Sequence, residues 1–290
     1  MADEREIDAE TQTETPGHEW DGIKELDTPM PRWWLWTLYA TIVWGIGYVI
    51  LMPAWPLVSS ATPGLLGFSS RANVTAEIDA HRARNAPLNE RLLATDLAMV
   101  ADDPALLRFS VAGGRALFLA HCSQCHGAGG GGAIGGFPNL LDDDWLWGGT
   151  VADIHQTVTH GIRDETDFDT RFNMMPAFGG MLPDDEIEAL VHYVRSLSGL
   201  EVADADLLAG AAPIFEQNCA ACHGDDGSGL PEMGAPDLTD GIWLFGGSEE
   251  AIRETITASR NGMMPAFQAR LAPEEIAKVA IYVHSLGGGQ

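Results

Sequence analysis

One pattern constrains this chain more than any other: Cys122-Ser-Gln-Cys125-His126, met again as Cys219-Ala-Ala-Cys222-His223. Two thiols three residues apart, followed at once by an imidazole, read as a c-type haem attachment site. Each thiol can add to one vinyl group while the imidazole reaches the iron. His126 and His223 then take one face of each iron. The opposite face needs a second strong ligand if the iron is to pass electrons without binding small molecules, and thioether sulfur serves there. Two runs offer it, Met174-Met175-Pro176-Ala177-Phe178 and Met263-Met264-Pro265-Ala266-Phe267. The expected ligands are Met175 and Met264, because the proline that follows fixes the local backbone and aims one side chain in a defined direction. Met174 and Met263 are expected to pack, and Met181 and Met233 are alternatives without a counterpart in the other copy. Spacing leaves open whether each methionine serves its own motif or its neighbour's.

A CxxC pair can also be half of a zinc site or a redox-active dithiol. All four cysteines lie in the two motifs, so a shared thiolate zinc site stays open on count alone, but zinc has no use for the Met-Met-Pro-Ala-Phe runs. No cysteine is left for a structural disulfide. At 290 residues there is room for two small domains and additional segments. A formal charge of -26 argues against nucleic acid as a partner. It favours solubility or attraction of a basic protein.

Residues 1–32 are rich in Asp and Glu and poor in apolar residues, and read as a mobile acidic arm. They lack the basic start and small-residue cleavage site of a signal peptide. Trp20, Ile23 and Leu26 are the residues through which the arm would order on a partner. From Trp33 to Met52 no charged residue occurs. As a helix the run spans about 30 Å at about 1.5 Å per residue, the thickness of a bilayer's hydrocarbon core. Trp33, Trp34 and Trp36 crowd one end and Tyr48 and Trp55 the other, as in an interfacial belt, before Pro53 and Pro56 stop the helix. Gly45 and Gly47 would permit close approach of another helix. A second span is not visible. Lys24 and Arg32 before the span and Arg71 beyond it give too weak a bias to orient it. Residues 57–70 read as a Pro/Gly/Ser linker, and 74–100 as two helical pieces interrupted at Pro87.

Beyond residue 107 the chain repeats. Gly114 to Phe118 and Gly210 to Phe215 precede the two motifs, which stand 97 residues apart. Pro138-Asn-Leu140 answers Pro236-Asp-Leu238, and Trp145-Leu-Trp-Gly-Gly149 answers Trp243-Leu-Phe-Gly-Gly247, each 98 apart. The Met-Met-Pro runs are only 89 apart, so the first copy holds about nine extra residues around Gly161 to Thr170, most simply a surface loop. Each run is followed by a helix, Ile187 to Leu197 or Ile276 to Leu286, with acids in its first turn. Each such helix is expected to close its own repeat by packing across the helix before the motif. Each repeat is small enough that a tethered haem would complete its core. His121, His155, His160, His192 and His284 read as surface or satisfied core histidines, and Gly127 to Gly136 as a flexible loop without the lysine of a phosphate loop.

The repeats resemble class I cytochrome c domains in tandem. Together with Gly17 to Leu26, Pro29 to Trp34 and Tyr48 to Pro56, they are similar to the membrane-anchored subunit III of cbb3-type cytochrome c oxidases. The resemblance covers nearly the whole chain. It implies a mainly α fold: a cytoplasmic arm (1–32), a transmembrane helix (33–56), a linker and helical spacer (57–107) and cytochrome domains at 108–199 and 200–290. It implies two covalent haem c groups on Cys122, Cys125, Cys219 and Cys222, with His126, Met175, His223 and Met264 on the irons, and raises exchange of the methionines. The haem domains would be periplasmic at the bacterial inner membrane. Electrons would come from a donor cytochrome c with a basic surface and pass toward a monohaem subunit and the catalytic haem-copper subunit, with no catalysis by this chain itself. Two other readings are a dihaem subunit of a periplasmic dehydrogenase and a haem gas sensor with an open iron.

Overall fold

The computed structural model describes residues 5–201 and 205–289. It divides into two compact units, residues 1–82 and 83–290.

In the first unit the acidic arm has more local structure than its composition predicts. Ile7 and Glu14 form an antiparallel bridge, and the Thr15 hydroxyl donates to the Glu6 carbonyl. Strands β1 (Glu19–Trp20) and β2 (Ile23–Lys24) make a small hairpin. Its turn residues Asp21 and Gly22 both have positive φ, 51° and 84°, as a tight two-residue turn of this hand requires. Trp20 and Ile23 stand exposed on it. Helix α1 (Arg32–Leu51) is 20 residues long, begins after Pro31 and buries none of them. The segment expected to be a plain linker folds back on its end, where the Leu65 and Leu66 amides donate to the Ile50 and Leu51 carbonyls. Those are among the carbonyls that a helix terminus leaves without an internal partner.

Helix α2 (Ser70–Ala94) runs unbroken through Pro87, where two pieces were expected. One proline removes one hydrogen bond and can bend a helix without ending it. From Ala83 on it belongs to the second unit, where Leu92 is buried.

After a 3₁₀ turn at Leu97–Asp102, α3 (Pro104–His121) is capped by Asp103, whose carboxylate accepts from the Ala105 and Leu106 amides. Next come α4 (Ser123–His126), α5 (Val151–His160), α6 (Asp184–Leu197), α7 (Ala205–Asn218), α8 (Ala220–His223), α9 (Glu249–Ala258) and α10 (Pro273–His284). The closing helices are exchanged. α10 packs across α3 and against α5, whereas α6 packs across α7 and against α9. The expectation that each would close its own repeat is therefore corrected. Sequence proximity supplies the reason: seven residues separate α6 from α7, so α6 turns back on the helix that follows it and α3 is left for α10.

Two cores result. One gathers Leu92, Phe118, Cys122, Ile154 and the buried face of α10, and the other gathers Phe178, Leu190, Val191, Phe215 and Ile252. At the crossing of α3 and α10 a side chain on Gly114 would collide with the Lys278 carbonyl and Tyr282.

Candidate functional site

Both motifs fold into one tight turn on the end of a helix. The amides of Cys125 and His126 bond back to the Cys122 carbonyl at 3.1 and 3.0 Å, and those of Cys222 and His223 to the Cys219 carbonyl at the same distances. Each histidine is then oriented from outside the motif. His126 Nδ1 lies 3.1 Å from the Pro138 carbonyl and His223 Nδ1 3.1 Å from the Pro236 carbonyl. A carbonyl only accepts, so Nδ1 carries the proton in both rings and the Nε2 lone pair is free for a metal. Burial holds both imidazoles below their usual pKa, more than these carbonyls raise them, and they are neutral at physiological pH. The prolines belong to the recurring Pro-x-Leu pairs, and that recurrence is the signal by which sequence reasoning could have assigned them this part.

The second motif opens on a cavity of about 600 Å³ lined by Cys219, Cys222, His223 and Met175, with Phe215 and Leu190 among its apolar walls. Such a volume suits a cofactor. Met175 thus faces the motif of the other repeat. Its amide donates to Asn261 Oδ1 at 3.3 Å, and its carbonyl accepts from the Ser259 hydroxyl. Met264 packs against the first core, which contains Cys122 and Phe118. Its backbone pairs both ways with Ile162, at 2.9 and 3.0 Å. The tyrosines of the closing helices follow the exchange, Tyr282 lying on Phe118 at 5.4 Å and Tyr193 on Phe215 at 5.2 Å between ring centres.

Met174 and Met263 do not pack as expected: they are 53% and 65% exposed. Met181 is also exposed, while Met233 is half-buried in the wall of the second cavity. The extra residues of the first repeat are more than a surface loop. Asp164 Oδ2 accepts from the Ala266 amide at 2.7 Å and Asp167 from the Gln268 amide group, so the insertion holds the Met264 segment. The glycine-rich stretch is likewise tied down, with Gly132 donating to the His126 carbonyl and Gly135 and Gly136 to the Leu244 carbonyl of the other repeat. His192 is buried beside Glu188, 3.3 Å away, and His121, His155 and His284 are half-buried.

Zinc is not supported by this geometry. Among the described residues, the one group of three or more possible ligands within 4.8 Å of one another is His160, Asp167 and Asp169, which contains no cysteine. Burial, with some repulsion from the neighbouring cysteine, pushes the Cys122 and Cys219 thiols up to about 11, so neither is a thiolate at neutral pH. Paired thiols beside a neutral, oriented imidazole, an apolar cavity and an approaching thioether fit a covalently held haem and define a c-type cytochrome.

Comparison with known proteins narrows the class. Residues 12–59 match the N-terminal domain of cytochrome oxidase-cbb3, FixP, and residues 110–194 and 206–283 match cytochrome c oxidase, cbb3-type, subunit III. The chain is 54% identical over 278 residues to the cbb3-type cytochrome c oxidase subunit CcoP of Cereibacter sphaeroides, covering 95% of each. It is 52% identical to the FixP subunit of Bradyrhizobium diazoefficiens over the full length of both. The chain belongs to the cbb3-type cytochrome c oxidase subunit III family, and its function is electron transfer in that setting. The relatives do not favour the dehydrogenase reading. α1 is a candidate single membrane span of 20 residues.

Proposed function

We propose that the second unit carries two covalent haem c groups, one on Cys122 and Cys125 and one on Cys219 and Cys222. His126 and Met264 would be the axial ligands of the first, and His223 and Met175 of the second. What supports the exchange is that Met175 lines the cavity of His223, whereas Met264 packs with the core around Cys122. Haem iron, when bound, supplies a one-electron couple whose potential is higher with Met/His than with two histidines. The cysteines tether it, the Pro138 and Pro236 carbonyls fix the imidazoles that approach it, and the methionines close its open face. With both faces closed the chain relays electrons and reduces no oxygen itself. The donor would be a cytochrome c with a basic surface, and the acceptors the monohaem and catalytic haem-copper subunits. The attachment chemistry supports a periplasmic location for the haem unit at the bacterial inner membrane, with the arm cytoplasmic.

A chain reduced to one haem tests the pairing. In Cys219→Ala/Cys222→Ala, adding Met264→His should lower the remaining midpoint potential while adding Met175→His leaves it in place. The reverse pattern in potentiometry would reject the exchange.

A further inference from the structure

We propose that Arg163 is the carboxylate-binding group of the second site: its guanidinium receives a propionate of the porphyrin tethered at Cys219 and Cys222 while also tying the two methionine segments together. The inference rests on the haem reading above and extends it to a residue of the first repeat's insertion.

Arg163 lines the second cavity although it comes from the first repeat. Its Nε donates to the Gly262 carbonyl at 2.6 Å and its Nη1 to the Asn173 carbonyl at 2.8 Å. Those carbonyls belong to the residues immediately before Met263-Met264 and Met174-Met175, so one side chain holds the root of both runs. A guanidinium has five N–H donors. Two are used, and among the described residues Arg163 forms no ion pair. Arg260, the other cation of the wall, has its charge met by Glu254 at 2.8 Å, with further donors on Thr255 and the Ala251 and Phe245 carbonyls. A half-buried cation without a counter-charge is costly, and a carboxylate meeting the free fork offsets that cost through paired, charge-assisted hydrogen bonds. The carboxyl groups already in the wall, Asp142, Asp144 and Asp237, would repel a propionate and cannot serve in place of Arg163. The backbone is consistent with a specialised role: Arg163 has φ 53°, a left-handed conformation that non-glycine residues rarely adopt.

The test is redox titration of the full haem-loaded chain in detergent across neutral to alkaline pH, comparing wild type, Arg163→Gln and Arg163→Lys. The near-infrared band of sulfur-ligated ferric haem is followed in parallel. Arg163→Gln should lower one midpoint by about 59 mV, a tenfold shift toward the oxidised form at the wild-type midpoint. It should also make that midpoint pH-dependent, because a propionate without its cation takes up a proton more readily. Arg163→Lys, which keeps the charge, should restore most of the shift. Wild-type potentials and pH dependence in Arg163→Gln would overturn the inference. So would equal loss of the sulfur band in both variants with potentials that follow that loss, since Arg163 would then only tie the loops. A wild type lacking two sulfur-ligated signals would instead remove the haem reading on which the inference stands.

Discussion

In the wall of the second cavity the carboxyl of Asp144 is pushed up to about 6, chiefly by burial and then by the charges of Asp240, Asp142, Asp237 and Asp143. An acid whose folded pKa exceeds its unfolded value of about 3.9 binds more protons when folded, so stability falls as pH rises between about 4 and 6. Asp142 and Asp240, also raised chiefly by burial, act in the same direction. Asp144→Asn removes the charge and should raise the melting temperature at pH 7 while leaving it nearly unchanged at pH 4. A melting curve series that keeps the wild-type slope between those values would show that Asp144 carries no such penalty. At this scale the same physics acts twice: burial keeps His126 and His223 neutral and available, and keeps Asp144 reluctant to ionise.

Among the helices, the decisive contact is the crossing of α3 with α10. Gly114 lets the two backbones approach, and its counterpart in α7 is Ala211, which is fully buried. Gly114→Val should destabilise the second unit by about 1–3 kcal/mol through overpacking against the rigid Lys278 carbonyl. Gly210→Ala, with open space around its position, should instead be neutral or stabilise α7 by about 0.5–1 kcal/mol. Thermal unfolding of the two variants checks both, and equal effects would mean that the helix crossing is not tightly packed at Gly114. The insertion belongs to this scale as well, since Ile162, Asp164 and Asp167 fasten the segment that bears Met264.

For the molecule as a whole, exchange makes the two repeats interdependent. A fragment of residues 108–199 contains most of α3 and the first motif but lacks α10 and Met264, so its core is missing the face that covers Phe118. Expressed alone with the haem-attachment machinery, it should yield little folded protein and no near-infrared sulfur band, while residues 83–290 should yield both. A stable fragment 108–199 with that band would mean that each repeat can close on itself.

The motif residues, the repeat, the 20-residue apolar helix and the family were all legible along the chain, because the cysteine-histidine motif, the repeat offset and the uncharged run are local patterns of fixed spacing. A similar local feature, the following proline, is the reason to prefer Met175 and Met264 as expected ligands, whereas Met174 and Met263, expected to pack, are exposed. Pairing was not legible. Two helices that share Ile187/Ile276, Tyr193/Tyr282 and Val194/Val283 at the same helical spacing look alike along the chain, and periodicity is the same in both arrangements. The short connection between α6 and α7, the close approach at Gly114 and the hydrogen bonds of a non-repeating insertion decide between them. These are contacts between residues far apart in sequence, and so only the tertiary structure could say which closing helix crosses which motif helix.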